Sequence, residues 1–149
     1  MKWTLLVLIS FLLASNSAIS QSREFGLGVQ VGEPTGLNAK LWTGRENAVD
    51  FAVAWSFDGR DEMLMQADYV WHSFDVFSVS SGELPIYFGI GGRAILRNDP
   101  VFGARIPVGL AYIFESTPLD IFIEIAPTLN VIPATDFDFG GGLGARFWF

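Results

Sequence analysis

The sequence predicts an all-β fold: an eight-stranded, antiparallel, up-and-down transmembrane β-barrel. Three observations carry that expectation. From Phe25 onward, side-chain character alternates with period two rather than 3.6. Clusters of Gly, Pro, Asn and Asp cut the chain into eight short pieces. Within those pieces the bulky apolar side chains gather on one face, and Gly, Ala and polar residues on the other. Half of the 149 residues are hydrophobic and mean hydropathy is +0.37, yet no run beyond the N-terminus approaches the roughly 18 apolar residues that a membrane helix needs. Strands have to absorb that apolar content.

The first element is expected to be removed. Met1 and Lys2, the apolar run 5–14 and the small residues Ala18 and Ser20 follow the order of a secretory signal peptide, with cleavage after Ser20. Residues 1–20 are then the leader and 21–149 a single barrel domain. Its strands are expected at about 25–32, 37–43, 48–57, 63–77, 85–96, 103–114, 119–132 and 137–149. Between them lie segments with turn chemistry, among them Glu33-Pro34-Thr35-Gly36, Asp58-Gly59-Arg60-Asp61, Ser80-Ser81-Gly82 and Asn98-Asp99-Pro100. Connections this short join antiparallel neighbours, which gives a meander.

The seventh strand displays the two faces most plainly. Leu119, Ile121, Ile123, Ile125, Leu129 and Val131 alternate with Asp120, Phe122, Glu124, Ala126, Thr128 and Asn130. Alternation does not say which face is inside; volume does. Eight strands enclose a lumen that side chains just fill, too narrow for the Ile, Leu, Val, Phe and Trp of the oily face. Gly26, Gly28, Gly89, Gly91, Gly109, Gly140, Gly142 and Gly144 suit it better. The bulky face therefore turns outward, where it would be an intolerable patch in water but a suitable wall in lipid. Trp55, Tyr69, Trp71, Phe74, Phe88, Tyr112, Phe114, Phe147 and Phe149 are expected on that wall, many near strand ends, as aromatic girdles.

The last eight residues, Gly142-Leu143-Gly144-Ala145-Arg146-Phe147-Trp148-Phe149, resemble the insertion signal of bacterial outer-membrane barrels: Gly144, two free positions, then Phe147 and Phe149 flanking one residue. Gly142 stands where that pattern usually has a polar residue. The stretches Gly32-Glu-Pro-Thr-Gly-Leu37, Ala67-Asp-Tyr-Val-Trp-His72, Tyr87-Phe-Gly-Ile-Gly-Gly-Arg93, Arg105-Ile-Pro-Val-Gly-Leu-Ala-Tyr112 and Glu124-Ile-Ala-Pro127 resemble a family of small eight-stranded bacterial outer-membrane barrels of unknown function. The resemblance implies an integral outer-membrane protein, with outer-membrane lipid and the barrel-assembly machinery as its partners, a monomeric state and no cofactor. It brings no catalytic residues.

Projected inward are Lys40, Asp50, Gln66, Asp68, His72, Arg93, Arg105, Asp120, Glu124, Asn130, Asp138 and Arg146. Charges away from water must be paired, and counting from the turns places Lys40 against Asp50, Asp68 against Arg93 and Glu124 against Arg146. The expectation is a structural network that plugs the lumen. A narrow conduit or a small-solute or lipid-binding barrel is the alternative. A lipid A or phospholipid-modifying enzyme is the third reading, and His72, the one histidine, is its candidate base. Ser73 beside it points to the other face, however, and inward Ser56 has no oxyanion site to go with it. A net charge of -7 argues against nucleic acid, and the absence of cysteine excludes disulfides and a lipoprotein anchor. The acidic turns do not match calcium-loop spacing, so no metal site is expected. With the N-terminus in the periplasm, the outer loops near Glu33, Asp58, Arg97 and Pro133 are short, which disfavours a large recognition surface.

Overall fold

The computed structural model describes residues 24–55 and 62–149; the expected leader, Ser56 and the turn at 58–61 lie outside the described residues. Nine strand segments form: β1 (Phe25–Glu33), β2 (Gly36–Trp42), β3 (Asn47–Trp55), β4 (Met63–Ser73), β5 (Ile86–Leu96), β6 (Val101–Arg105), β7 (Val108–Ile113), β8 (Leu119–Ile132) and β9 (Asp136–Trp148). All pairings are antiparallel, and β1 pairs with β9, so the sheet closes on itself.

Nine segments make eight spans because β6 and β7 are halves of one strand. Gly91 faces Arg105 and Tyr87 faces Gly109 in one unbroken register along β5. The interruption falls at Pro107, which has no N–H to give the ladder. The acceptors on either side still hold the span in place: Gly89 N–H donates to the Pro107 carbonyl at 2.9 Å, and Ile106 N–H donates to the Pro127 carbonyl at 3.0 Å.

Register also fixes the tilt. From Gly28 the partners run through Asn38, Ala52, Gln66, Arg93, Gly103 and Asn130 to Asp136 on β9, whereas Gly28 faces Arg146 directly on that same strand. The circuit returns ten residues displaced, and such a shear over eight strands corresponds to a strand tilt of roughly 40–45°. Strands of 9 to 14 residues, such as β1 and β8, at that tilt are long enough to cross a hydrocarbon layer.

The wall is oily all the way round. Leu27, Val29, Phe51, Met65, Ile90, Ile106, Ile123, Ile125, Phe137, Phe139 and Leu143 are all exposed, all but Leu27, Phe51 and Met65 by more than half. Aromatic rings collect toward both ends. Phe25, Tyr69, Trp71, Phe88, Phe114, Phe147 and Phe149 lie near the end where β1 begins and β9 finishes, the terminal mouth, and Trp55, Phe102, Phe137 and Phe139 toward the other. Trp71 stacks on Phe88, and Phe147 meets Phe149 edge-on.

Two expectations need correction here. The fourth strand ends at Ser73 rather than 77. Phe74, expected on the outer wall, continues the inward parity of Val70 and His72 and packs against the rings of Trp42 and His72. Among the described connections the longest, 74–85, lies at the end where β1 begins and β9 finishes, while 34–35, 97–100 and 133–135 close the opposite end.

Candidate functional site

The lumen is built by large side chains seated on glycines of the adjacent strand. Tyr87 faces Gly109, Phe122 faces Gly144, Trp148 faces Gly26, Arg146 faces Gly28, and Asp68 faces Gly91. A Cβ at Gly26 would sit 3.0 Å from the Trp148 ring, and one at Gly144 would come within 2.6 Å of the Phe122 ring. The glycines of the inner face thus make room for particular partners. The interior is not simply small, as the volume argument alone suggested: Tyr87, Phe122 and Trp148 are all buried inside it.

Near the terminal mouth the inward rings form a plug. The Trp42 ring lies 4.4 Å from His72, 6.1 Å from Trp148 and 6.2 Å from Phe74, and Tyr87 lies 5.3 Å from His72. Beneath it the Lys40 ammonium sits 5.1 Å from the Trp42 ring and 4.9 Å from the Tyr87 ring, an arrangement that stabilises a cation. Above the plug, Glu24, Trp42, Thr43, Gly44, Arg45, Phe74, Glu83 and Ile113 border an open cleft of about 570 Å³.

A network of ion pairs fills the middle of the lumen. Lys40 lies 3.6 Å from Asp50, which it faces across β2 and β3, as the turn count expected. The other two expected pairs are wrong. Asp68 faces Gly91, not Arg93, and its cation is Arg105 at 3.5 Å. Arg146 faces Asp120, not Glu124, and binds it at 3.1 Å through Nε. Glu124 instead accepts from Arg105 at 2.7 Å and from the Tyr87 hydroxyl at 2.7 Å. Arg93 reaches Asp138 at 2.7 Å and Asn130 at 3.2 Å, nearer the opposite mouth, where Asp138 is half exposed. Trp148 Nε1 donates to Asp120 at 2.8 Å, which ties the ring plug to the ionic layer.

His72 is committed to this framework. One ring nitrogen lies 2.6 Å from the Lys40 ammonium and the other 3.0 Å from the Glu46 carbonyl. Lys40 can only donate, so Nε2 accepts and Nδ1–H donates to the carbonyl, an uncharged tautomer. Neither ring nitrogen is left to take a proton from a nucleophile, and Ser73 lies on the opposite face of β4.

Sequence reasoning did not foresee Asn38, Tyr87 or Trp148 as lumen residues, although each lies on the inward parity of its strand. Asn38 is 4% exposed, and both its amide atoms lack a hydrogen-bond partner.

No family model matches the chain, and no curated protein matches it. Among solved structures it is similar to the N-terminal β-barrel domain of OprF from Pseudomonas aeruginosa, with a TM-score of 0.56 and 15% sequence identity over 84% of this chain and 95% of that one. At that identity the likeness bears on the fold: a closed eight-stranded antiparallel barrel of the outer-membrane type.

Proposed function

We propose that this chain is an integral outer-membrane β-barrel with a closed lumen and a structural or interaction role in the envelope, rather than a catalyst. The observation that carries this reading is the combination of an outer wall apolar around its whole circumference with an interior occupied by ion pairs. A chain with that inside-out polarity is stable only where lipid surrounds it. In this reading the terminal mouth opens to the periplasm, the resemblance to the small outer-membrane barrel family accounts for the motifs, and Gly144, Phe147 and Phe149 are read by the assembly machinery.

Cell fractionation and an unheated-versus-boiled gel test the proposal together. The protein is expected in the outer-membrane fraction with a heat-dependent mobility, and His72→Ala leaves the lipid A and phospholipid species unchanged. Recovery in the periplasm without a mobility shift rejects the location, and a changed lipid species in the variant rejects the non-catalytic role. One observation favours the alternative of a solute-binding barrel. The 570 Å³ cleft at the terminal mouth has Trp42 and Phe74 in its lining and Glu24, Arg45 and Glu83 among its polar residues, and soaking with small solutes followed by Trp fluorescence would reveal an occupant there.

A further inference from the structure

The longest described connection, 74–85, is apolar where a connection is ordinarily polar. Val76, Phe77 and Val79 are each at least 40% exposed, and the run Val76-Phe-Ser-Val-Ser-Ser-Gly82 has no charge, with Asp75 before it and Glu83 after it. Three large apolar side chains on so short a stretch make a patch that water disfavours. Both ends of the stretch are fixed. At its start Phe74 packs against the rings of Trp42 and His72. At its end Glu83 and Ile113 exchange backbone hydrogen bonds of 3.0 and 2.8 Å, the Ser81 hydroxyl donates to Glu115 at 3.1 Å, and the Ser81 carbonyl accepts from the Tyr112 hydroxyl at 2.8 Å.

The Tyr112 bond tells on which side of the rim the stretch is pinned. Gly109 and Ala111 are the buried, inward positions of β7, so Tyr112 stands on the outer wall, where its ring meets Phe114 edge-on at 4.8 Å. The six residues 75–80 between the two pins span at most about 20 Å of chain, which keeps Val76, Phe77 and Val79 at the rim. That rim is already a girdle: Tyr69, Trp71 and Phe88 are exposed on the wall where β4 and β5 run into the connection, with Trp71 stacked on Phe88 at 5.7 Å. The patch therefore continues the lipid-facing wall. Its depth is bounded as well, because residues 75–80 lie outside the strand ladders and backbone of that kind needs water, which the headgroup layer supplies and hydrocarbon does not.

We propose that residues 76–79 are an interfacial anchor: Val76, Phe77 and Val79 dip into the lipid leaflet that surrounds the terminal mouth and hold the barrel at a fixed depth, while Asp75 and Glu83 stay in water. The anchor rests on the reading of this chain as a membrane barrel.

The chain has no cysteine, so one introduced thiol carries one nitroxide label. In the folded barrel reconstituted into phosphatidylcholine vesicles, collisions of the label with oxygen, which concentrates in lipid, are compared with collisions with a water-soluble nickel chelate. Ser78→Cys places the label inside the stretch with all three apolar side chains intact. Ile123→Cys places one on the wall, and Asp99→Cys one on the connection 97–100 at the opposite end. The label at 78 is expected to favour oxygen, as the one at 123 does, and the label at 99 to favour nickel. Adding Val76→Ser, Phe77→Ser and Val79→Ser to the Ser78→Cys chain is expected to raise its nickel collisions several-fold. A label at 78 as open to nickel as the one at 99, with 123 in lipid, overturns the anchor and leaves the patch to a protein partner. An oxygen preference at 78 that survives the triple substitution overturns the role of these side chains. Nickel access at 123 rejects the membrane barrel itself, and the anchor with it.

Discussion

Asp120 shows how much one interior residue can hold. Its carboxylate accepts from Arg146 Nε at 3.1 Å and from Trp148 Nε1 at 2.8 Å, and both donors are buried. Asp120→Ala would strand a guanidinium and an indole N–H away from water, and removing one partner of a buried pair costs about 3–5 kcal/mol. Urea unfolding from micelles should register that loss. The exposed pair Arg97–Glu62, at a similar 3.2 Å, provides the contrast: Arg97→Ala should cost about 1 kcal/mol or less, since solvent screens it. The glycine seats make a second prediction at this scale. Gly144→Ala drives a methyl toward both the Phe122 ring and the Val29 carbonyl, and overpacking of this kind costs about 1–3 kcal/mol in the same assay.

At the scale of the element, β9 both closes the sheet and carries the motif at its end. Phe149 N–H donates to the Phe25 carbonyl at 2.9 Å, and the two rings stack at 6.2 Å, so the last residue is part of the seam with β1. If the motif is also read during assembly, Phe147→Ala and Phe149→Ala should lower the amount of protein in the outer membrane of cells while purified variants still refold into vesicles. Equal losses in both settings would mean that the rings serve the seam alone. Strand identity and parity were legible in the sequence because a period of two is a local property: each of the twelve polar residues expected inside lies on the inward face of its strand. Register was not local. The pairing of Lys40 with Asp50 crosses a four-residue turn, and the count held. Asp68 with Arg93 spans the long connection 74–85, and Glu124 with Arg146 lies far along both strands from the short turn 133–135, and in both cases a shift placed at the turn changes every partner. Phe74 failed for a different reason: an aromatic near a strand end was read as girdle although its parity pointed inward. The aromatic lumen was hidden because the glycine that seats each ring sits on another strand, and only register brings them together.

The whole molecule has two closures in series, the ring plug of Trp42, His72, Phe74, Tyr87 and Trp148 at the terminal mouth and the ionic layer beneath it. Closures in series have a consequence that neither has alone, because the narrower one limits any current. Removing part of the ionic layer should therefore leave the barrel shut. Arg146→Ser, measured in a planar bilayer, is expected to give baseline current, with the rings still packed across the mouth. Adding Trp42→Ala and Phe74→Ala to it removes two of the three rings packed on His72, and discrete conductance steps should then appear. The heat-dependent gel mobility of the triple variant serves as the control that it still folds. Steps in Arg146→Ser alone would mean that the rings do not seal and that the ionic layer is the gate, which would return the narrow-conduit reading to first place.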